Sequence, residues 1–193
     1  MDIRSSRLRE VVSGGRVKGG VIRAHLDWLR RNHGDNALTN LVSSLPEHLL
    51  SEISSALPSS WCSFESVVTL DRAMAQQFGN SILKDLGRFS AKINLETTYR
   101  LYKREDIHEF FRRSAGLHSQ FQDFGTVEYE RSNDHGGRMI HSGYPCFSPT
   151  YCSSAIGYYE EALRIHRGRN VIVTESSCQC AGDASCTFVM RWS

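Results

Sequence analysis

The sequence predicts an α+β fold: a helical N-terminal half followed by a small antiparallel sheet, hairpin–helix–hairpin, packed against helices. Two observations predict it. Apolar residues recur at helical spacing from Val21 to Gln120, and beyond that short runs alternate apolar and polar residues on either side of one more helical stretch. At 193 residues the chain is long enough to bury a real core.

The elements can be justified in order. Residues 1–20, ending in "SGGRVKGG", read as a flexible arm; Lys18 is followed by Gly19, so the stretch fails as a phosphate loop. Residues 21–79 read as a helical leader. Ile22, Leu26 and Leu29 form a stripe that stops at "NHGDN"; Asp35 can cap the next stretch, with Ala37, Leu38, Leu41 and Val42 on one face. "LPEHLLSEISSALPSSW" is a short helix between Pro46 and a Pro58 turn, and the following helix has Ser63 as cap and Gly79 as stop. Residues 80–193 form the main α+β domain. It opens with helices over Asn80–Tyr102 and Asp106–Gln120. A hairpin then turns through Asn133–Gly137, a helix is capped by Ser148 with Pro149 in its first turn, and a second hairpin closes around a cysteine loop.

Net charge is +2, too mild to argue for nucleic acid, and no apolar run approaches the ~18 residues that span a bilayer. The first residues lack the apolar core of a signal peptide. Neither nucleic acid nor membrane is expected as a partner. The cytoplasm is the expected compartment, and there clustered cysteines favour metal over disulfide.

Five of the six cysteines fall after residue 145, three of them in "ESSCQCAGDASC". Strand alternation puts Val171, Val173 and Glu175 on one face, and Cys186, Phe188, Met190 and Trp192 on the core face of the next strand. Glu175 therefore points inward, where an unpaired carboxylate is costly. Cys152 shares a helix face with Ile156, Tyr159, Leu163 and His166, and its first-turn position favours the thiolate. Cys152, Glu175, Cys178 and Cys186 thus converge, and a tetrahedral structural Zn2+ is the expected occupant. Four readings compete with it: a Cys178–Cys186 disulfide, a redox pair of Cys178 and Cys180, Cys180 replacing Glu175 as fourth ligand, and His166 as a weaker substitute.

The spacing Cys-x22-Glu-x2-Cys-x7-Cys, with Gly-Asp before the last cysteine and Phe two residues after it, resembles the 4-vinyl reductase domain family. It is most similar to the zinc-bound type in the sensory domains of phenol- and xylene-responsive activators. The resemblance covers roughly residues 80–193 and places the family's four ligands on Cys152, Glu175, Cys178 and Cys186. It implies a superfamily that includes TRAPP subunits and haem-based nitric-oxide sensors, and a homodimer through the helices of residues 80–121.

Four protein ligands close the metal, and there is neither an HExxH motif nor a GxSxG elbow, so the chain is not expected to be an enzyme. The resemblance implies a small-molecule pocket, for an apolar or aromatic ligand, between the sheet and the helix before it. That region contains Tyr99, Tyr102, Phe110, Phe111, His118, Phe121, Phe124, Tyr129 and Met139. Each of these aromatic residues also has a plain reading as core. The first function class is a small-molecule sensor that signals through dimer contacts or a downstream protein partner. The alternatives are a TRAPP-like interaction module with no ligand and an accessory to a reductase.

Overall fold

The computed structural model describes residues 8–97, 100 and 106–193, and among them the chain forms six α-helices and six strands. β1 (Arg16–Lys18) leads into α1 (Gly20–Ser43), then α2 (Glu47–Ser55), β2 (Trp61–Ser63), α3 (Phe64–Phe78) and α4 (Ile82–Glu96). After α5 (Ile107–Gly116) come β3 (Thr126–Asn133), β4 (Gly136–Ser142), α6 (Pro149–Ile165), β5 (Ile172–Ser177) and β6 (Ser185–Arg191). The class is α+β, as the periodicity predicts.

Local chemistry sets the boundaries. Gly34, at φ +83°, interrupts α1 inside "NHGDN". Side-chain oxygens of Ser63, Asp106 and Ser148 accept backbone N–H groups at the starts of α3, α5 and α6. Three features differ from expectation. The expected long helix from Asn80 is seen as α4, ending at Glu96, and Tyr99 and Tyr102 lie outside the described residues. The helix from Asp106 gives way after Gly116 to a 3-10 turn at His118–Gln120. Within the stretch read as an arm, β1 pairs antiparallel with β2, Val17 opposite Cys62.

The main sheet is antiparallel in the order β3-β4-β6-β5. One core fills the helical half around Ile22, Leu29, Leu70, Met74 and Leu86; the other lies between the sheet and helices α5 and α6, around Phe110, Phe111, Leu163, Phe188 and Met190. Burying each such side chain stabilises by about 1.5–3 kcal/mol relative to leaving it in water. Two buried features matter later. Helices α4 and α6 cross at Gly87 and Gly157, where an added Cβ would lie 1.9 Å from the Ser154 carbonyl oxygen and 2.0 Å from that of Lys84. Beside the crossing Arg88 pairs with Glu160 at 2.6 Å. In the helical half His25 Nδ1 meets Asp71 Oδ1 at 2.5 Å with both side chains at most 1% exposed, and His25 Nε2 and Asp71 Oδ2 have no protein partner. Among the described residues no helix is long and apolar enough to cross a membrane.

Candidate functional site

Three elements bring the cysteines together. The Ser148 cap starts α6 and sets Cys152 in its first turn, strand alternation on β5 aims Glu175 inward, and β6 carries Cys186 on the buried face. Between β5 and β6 the loop is shaped by its own backbone. Ala181 and Asp183 N–H groups donate to the Cys178 carbonyl, the Cys178 N–H donates to the Asp183 carboxylate at 2.8 Å, and Gly182 takes φ +100°, which an L side chain would resist. The Gln179 N–H points at the Cys186 sulfur, 3.3 Å away.

The result is a compact donor set. The Sγ atoms of Cys152, Cys178 and Cys186 are 3.8, 3.9 and 4.0 Å apart, and one ligand atom each from Cys152, Glu175, Cys178 and Cys186 lies within 4.8 Å of all the others. A disulfide needs its sulfurs about 2.05 Å apart; these are too far, and all six cysteines are free thiols. A tetrahedral metal–thiolate centre with bonds of about 2.3 Å would space its sulfurs about 3.8 Å apart, which is the spacing seen. Cys180 is buried beside Cys152 but outside the group of four. The His166 Nδ1–H, on the weaker substitute, donates to the Ala162 carbonyl at 2.9 Å, and its ring stacks on Phe110.

The electrostatics show how strongly the donors crowd one another. Burial pushes the Glu175 carboxyl up to about 7, and its Oε1 has no protein partner. The Cys152 thiol is pushed well up because, as a donor, it is held by Cys178, Cys180 and Cys186; Cys178, which receives that hydrogen bond, falls to about 4. The helix start was expected to favour the Cys152 thiolate. Hydrogen bonds from Cys152 to the neighbouring sulfurs, which hold its proton, outweigh it.

The aromatic residues divide into two groups. Phe110, Phe111, Tyr129 and Met139 pack together: the Tyr129 ring stacks on Phe111, its hydroxyl meets His108 Nδ1 at 2.6 Å, and Met139 lies opposite it across the hairpin. Phe121 is half-buried at the edge of this group. Phe124 belongs to the other core, against Phe64 and Tyr144, and the His118 Nε2–H donates to the Phe124 carbonyl at 3.0 Å. Between the groups, and against Cys152 and Cys186, lies a cavity of about 10 Å³ bordered by His141, Tyr144 and Tyr151. His141 is held neutral, its pKa pushed down to about 3 by burial, and its Nε2 lies 2.6 Å from the Tyr159 hydroxyl. Sequence reasoning missed His141, Tyr144, Tyr159 and the His25–Asp71 pair. The last had a signal: both residues sit inside apolar stripes, His25 between Ile22 and Leu29 and Asp71 between Val68 and Met74.

No protein-family model matches the sequence, and no curated protein matches it. The fold has clear counterparts among solved structures, the H-NOX proteins. The S. oneidensis H-NOX protein in its Fe(II)NO ligation state superposes with a TM-score of 0.71 at 13% identity, over 91% of this chain and 99% of that one. The unliganded Fe(II) H-NOX protein from K. algicida gives 0.66 at 11%, over 91% and 96%. An oxygen-binding H-NOX domain related to soluble guanylate cyclases, in its oxygen complex, gives 0.67 at 13%, over 91% and 94%. The chain therefore has the H-NOX fold, helical half included. The expectation of structural Zn2+ as cofactor is corrected here: the solved structures on this fold are titled for Fe(II), its ligands and heme, and they point to haem rather than zinc as the group the fold carries.

Proposed function

We propose that the chain is a small-molecule sensor domain rather than an enzyme, built on the H-NOX fold with the cysteine–carboxylate cluster as its responsive centre. The cluster holds a metal ion through Cys152, Glu175, Cys178 and Cys186. One observation carries the reading: four donors, from α6, β5, β6 and the loop between the strands, lie within 4.8 Å of one another. Shared fold supports the sensor class, since the neighbours are titled as complexes of nitric oxide and oxygen.

Haem is the cofactor to weigh against this. Its iron needs an axial side chain with a free donor atom, and the macrocycle needs a pocket of several hundred Å³. The cavity beside the cluster, at about 10 Å³, is far too small for the macrocycle. His108 uses both ring nitrogens, on Tyr129 and the Asp134 carbonyl, and so offers no free donor atom. His141 borders a cavity of only about 10 Å³, and His25, with its free nitrogen, is packed in a closed helical core.

A change at the cluster would reach other proteins through a homodimer formed by the helices of residues 80–121 or through a downstream partner. A second reading, the ligand-free interaction module, is favoured by the Phe111 ring filling the space behind Tyr129. The deciding experiment is elemental analysis and visible absorption of the purified chain. About one metal ion per chain, released by chelator with the unmasking of three thiols, is the expected result. Stoichiometric haem with a Soret band, or no metal, would overturn it.

A further inference from the structure

We propose that residues Arg9–Val12 are a strap that clamps the cysteine loop and the start of α6 to the helical half and carries a change of state at the cluster to α3. The contacts come in sequence along three residues, Arg9 to Val11. The Arg9 N–H donates to the Cys180 carbonyl at 2.7 Å. Glu10 reaches two elements at once: its Oε1 accepts from the Ser148 hydroxyl at 2.5 Å and its Oε2 pairs with Arg72 of α3. Val11 and Phe147 exchange both backbone hydrogen bonds, at 3.0 and 2.7 Å. Downstream, the Gly15 carbonyl accepts from the Phe64 N–H at the start of α3, and β1 follows.

Each anchor sits one step from a cluster ligand. Cys180 is in the turn between Cys178 and Cys186. Ser148 caps α6, and its carbonyl accepts the Cys152 N–H at 3.0 Å. The strap is held mainly by these polar bonds, because Leu8, Arg9 and Glu10 face solvent and only Val11 and Val12 are half-buried. Hydrogen bonds weaken steeply with distance and angle, so a shift of the loop or of the first turn of α6 must either drag the strap or release it. Glu10 then transmits the outcome, since one carboxylate cannot follow Ser148 and hold Arg72 unless α3 moves too. Glu10 is a positioning residue here; it touches no ligand atom of the cluster.

The inference rests on the cluster being the responsive centre, and its test is built to fail separately. Hydrogen exchange by mass spectrometry on the full chain reads the strap. Chelating the metal should raise exchange at Arg9 and Val11 about tenfold while the β3–β4 hairpin stays unchanged. In the reciprocal arm, Glu10→Ala should speed reaction of the half-buried Cys178 thiol with a disulfide reagent about tenfold, and Glu10→Gln, which keeps an acceptor for Ser148, less. If the purified chain carries no metal, the proposed function falls, and alkylation of Cys178 replaces chelation as the perturbation. The strap is overturned if exchange at Arg9 and Val11 stays within twofold on perturbing the cluster, or if Glu10→Ala leaves the thiol rate within twofold.

Discussion

The two halves bury polar chemistry in opposite ways. The helical half holds one His25–Asp71 pair between α1 and α3, each group the other's one side-chain partner among the described residues, in a closed apolar core. The sheet half gathers three thiols and a carboxylate from α6, β5, β6 and the loop that joins the two strands, with further backbone N–H groups aimed into that loop. The pair staples two helices through one bond and leaves His25 Nε2 and Asp71 Oδ2 without a protein partner. A convergent set of like donors repels itself unless something positive joins it, and the opposed shifts of Cys152 and Cys178 are the signature of that crowding.

The largest expected effect breaks the sheet half. Cys186→Ser or Cys152→Ser should abolish metal binding and cost several kcal/mol of stability, because metal-binding free energy at such sites is also folding free energy. Thermal melts with and without chelator check it, and a variant that melts like the parent would remove the distinction between the two halves. Next, Asp71→Ala leaves His25 Nδ1 buried with no partner and should cost about 1–3 kcal/mol. Asp71→Asn, which keeps a hydrogen-bonding group, should cost less; urea titration of both compares them.

Within the cluster, Glu175→Ala should weaken metal affinity while Cys180→Ser keeps the metal, as read by chelator competition. The reverse order would make the fourth ligand a thiolate. The most gradual effect is in the pH profile. His141 is neutral in the folded state down to about pH 3, whereas the unfolded chain protonates it near 6.5, so the unfolded state binds more protons in between. Stability should therefore fall as pH drops below about 6.5, by about 1.4 kcal/mol per pH unit from this residue. His141→Phe should flatten that part of the curve; an unchanged slope would assign it elsewhere.

How much of this was legible in the sequence depends on the range of the interaction. The hairpins, the capped start of α6 and the inward aim of Glu175 follow from alternation and caps, which act over a few residues. Most of the donor convergence was legible for the same reason, since two strand faces and one helix turn supply Glu175, Cys186 and Cys152, and Cys178 follows directly on the end of β5. The β1–β2 pairing was not, because two three-residue strands more than forty residues apart carry no period of their own. Nor was the fate of the aromatic residues. Phe111 and Tyr129 fill space because each finds the other, and nothing in either segment says whether a ring will face a partner or a cavity.

The glycine contact between α4 and α6 makes the latter helix a lever. Backbone rests on backbone around Ser154 and Gly157, with no side chain between to act as a cushion, so the crossing serves as a fulcrum. From Gly157, Cys152 is about 7.5 Å along the axis and Ile165, on the other arm, about 12 Å at 1.5 Å per residue. Any rocking of the helix about that point moves its two ends in opposite directions, the far end about 1.6 times as far. The long arm ends at His166, whose ring stacks on Phe110 of α5. A small displacement at the sulfur end would thus arrive enlarged, and reversed, beneath α5.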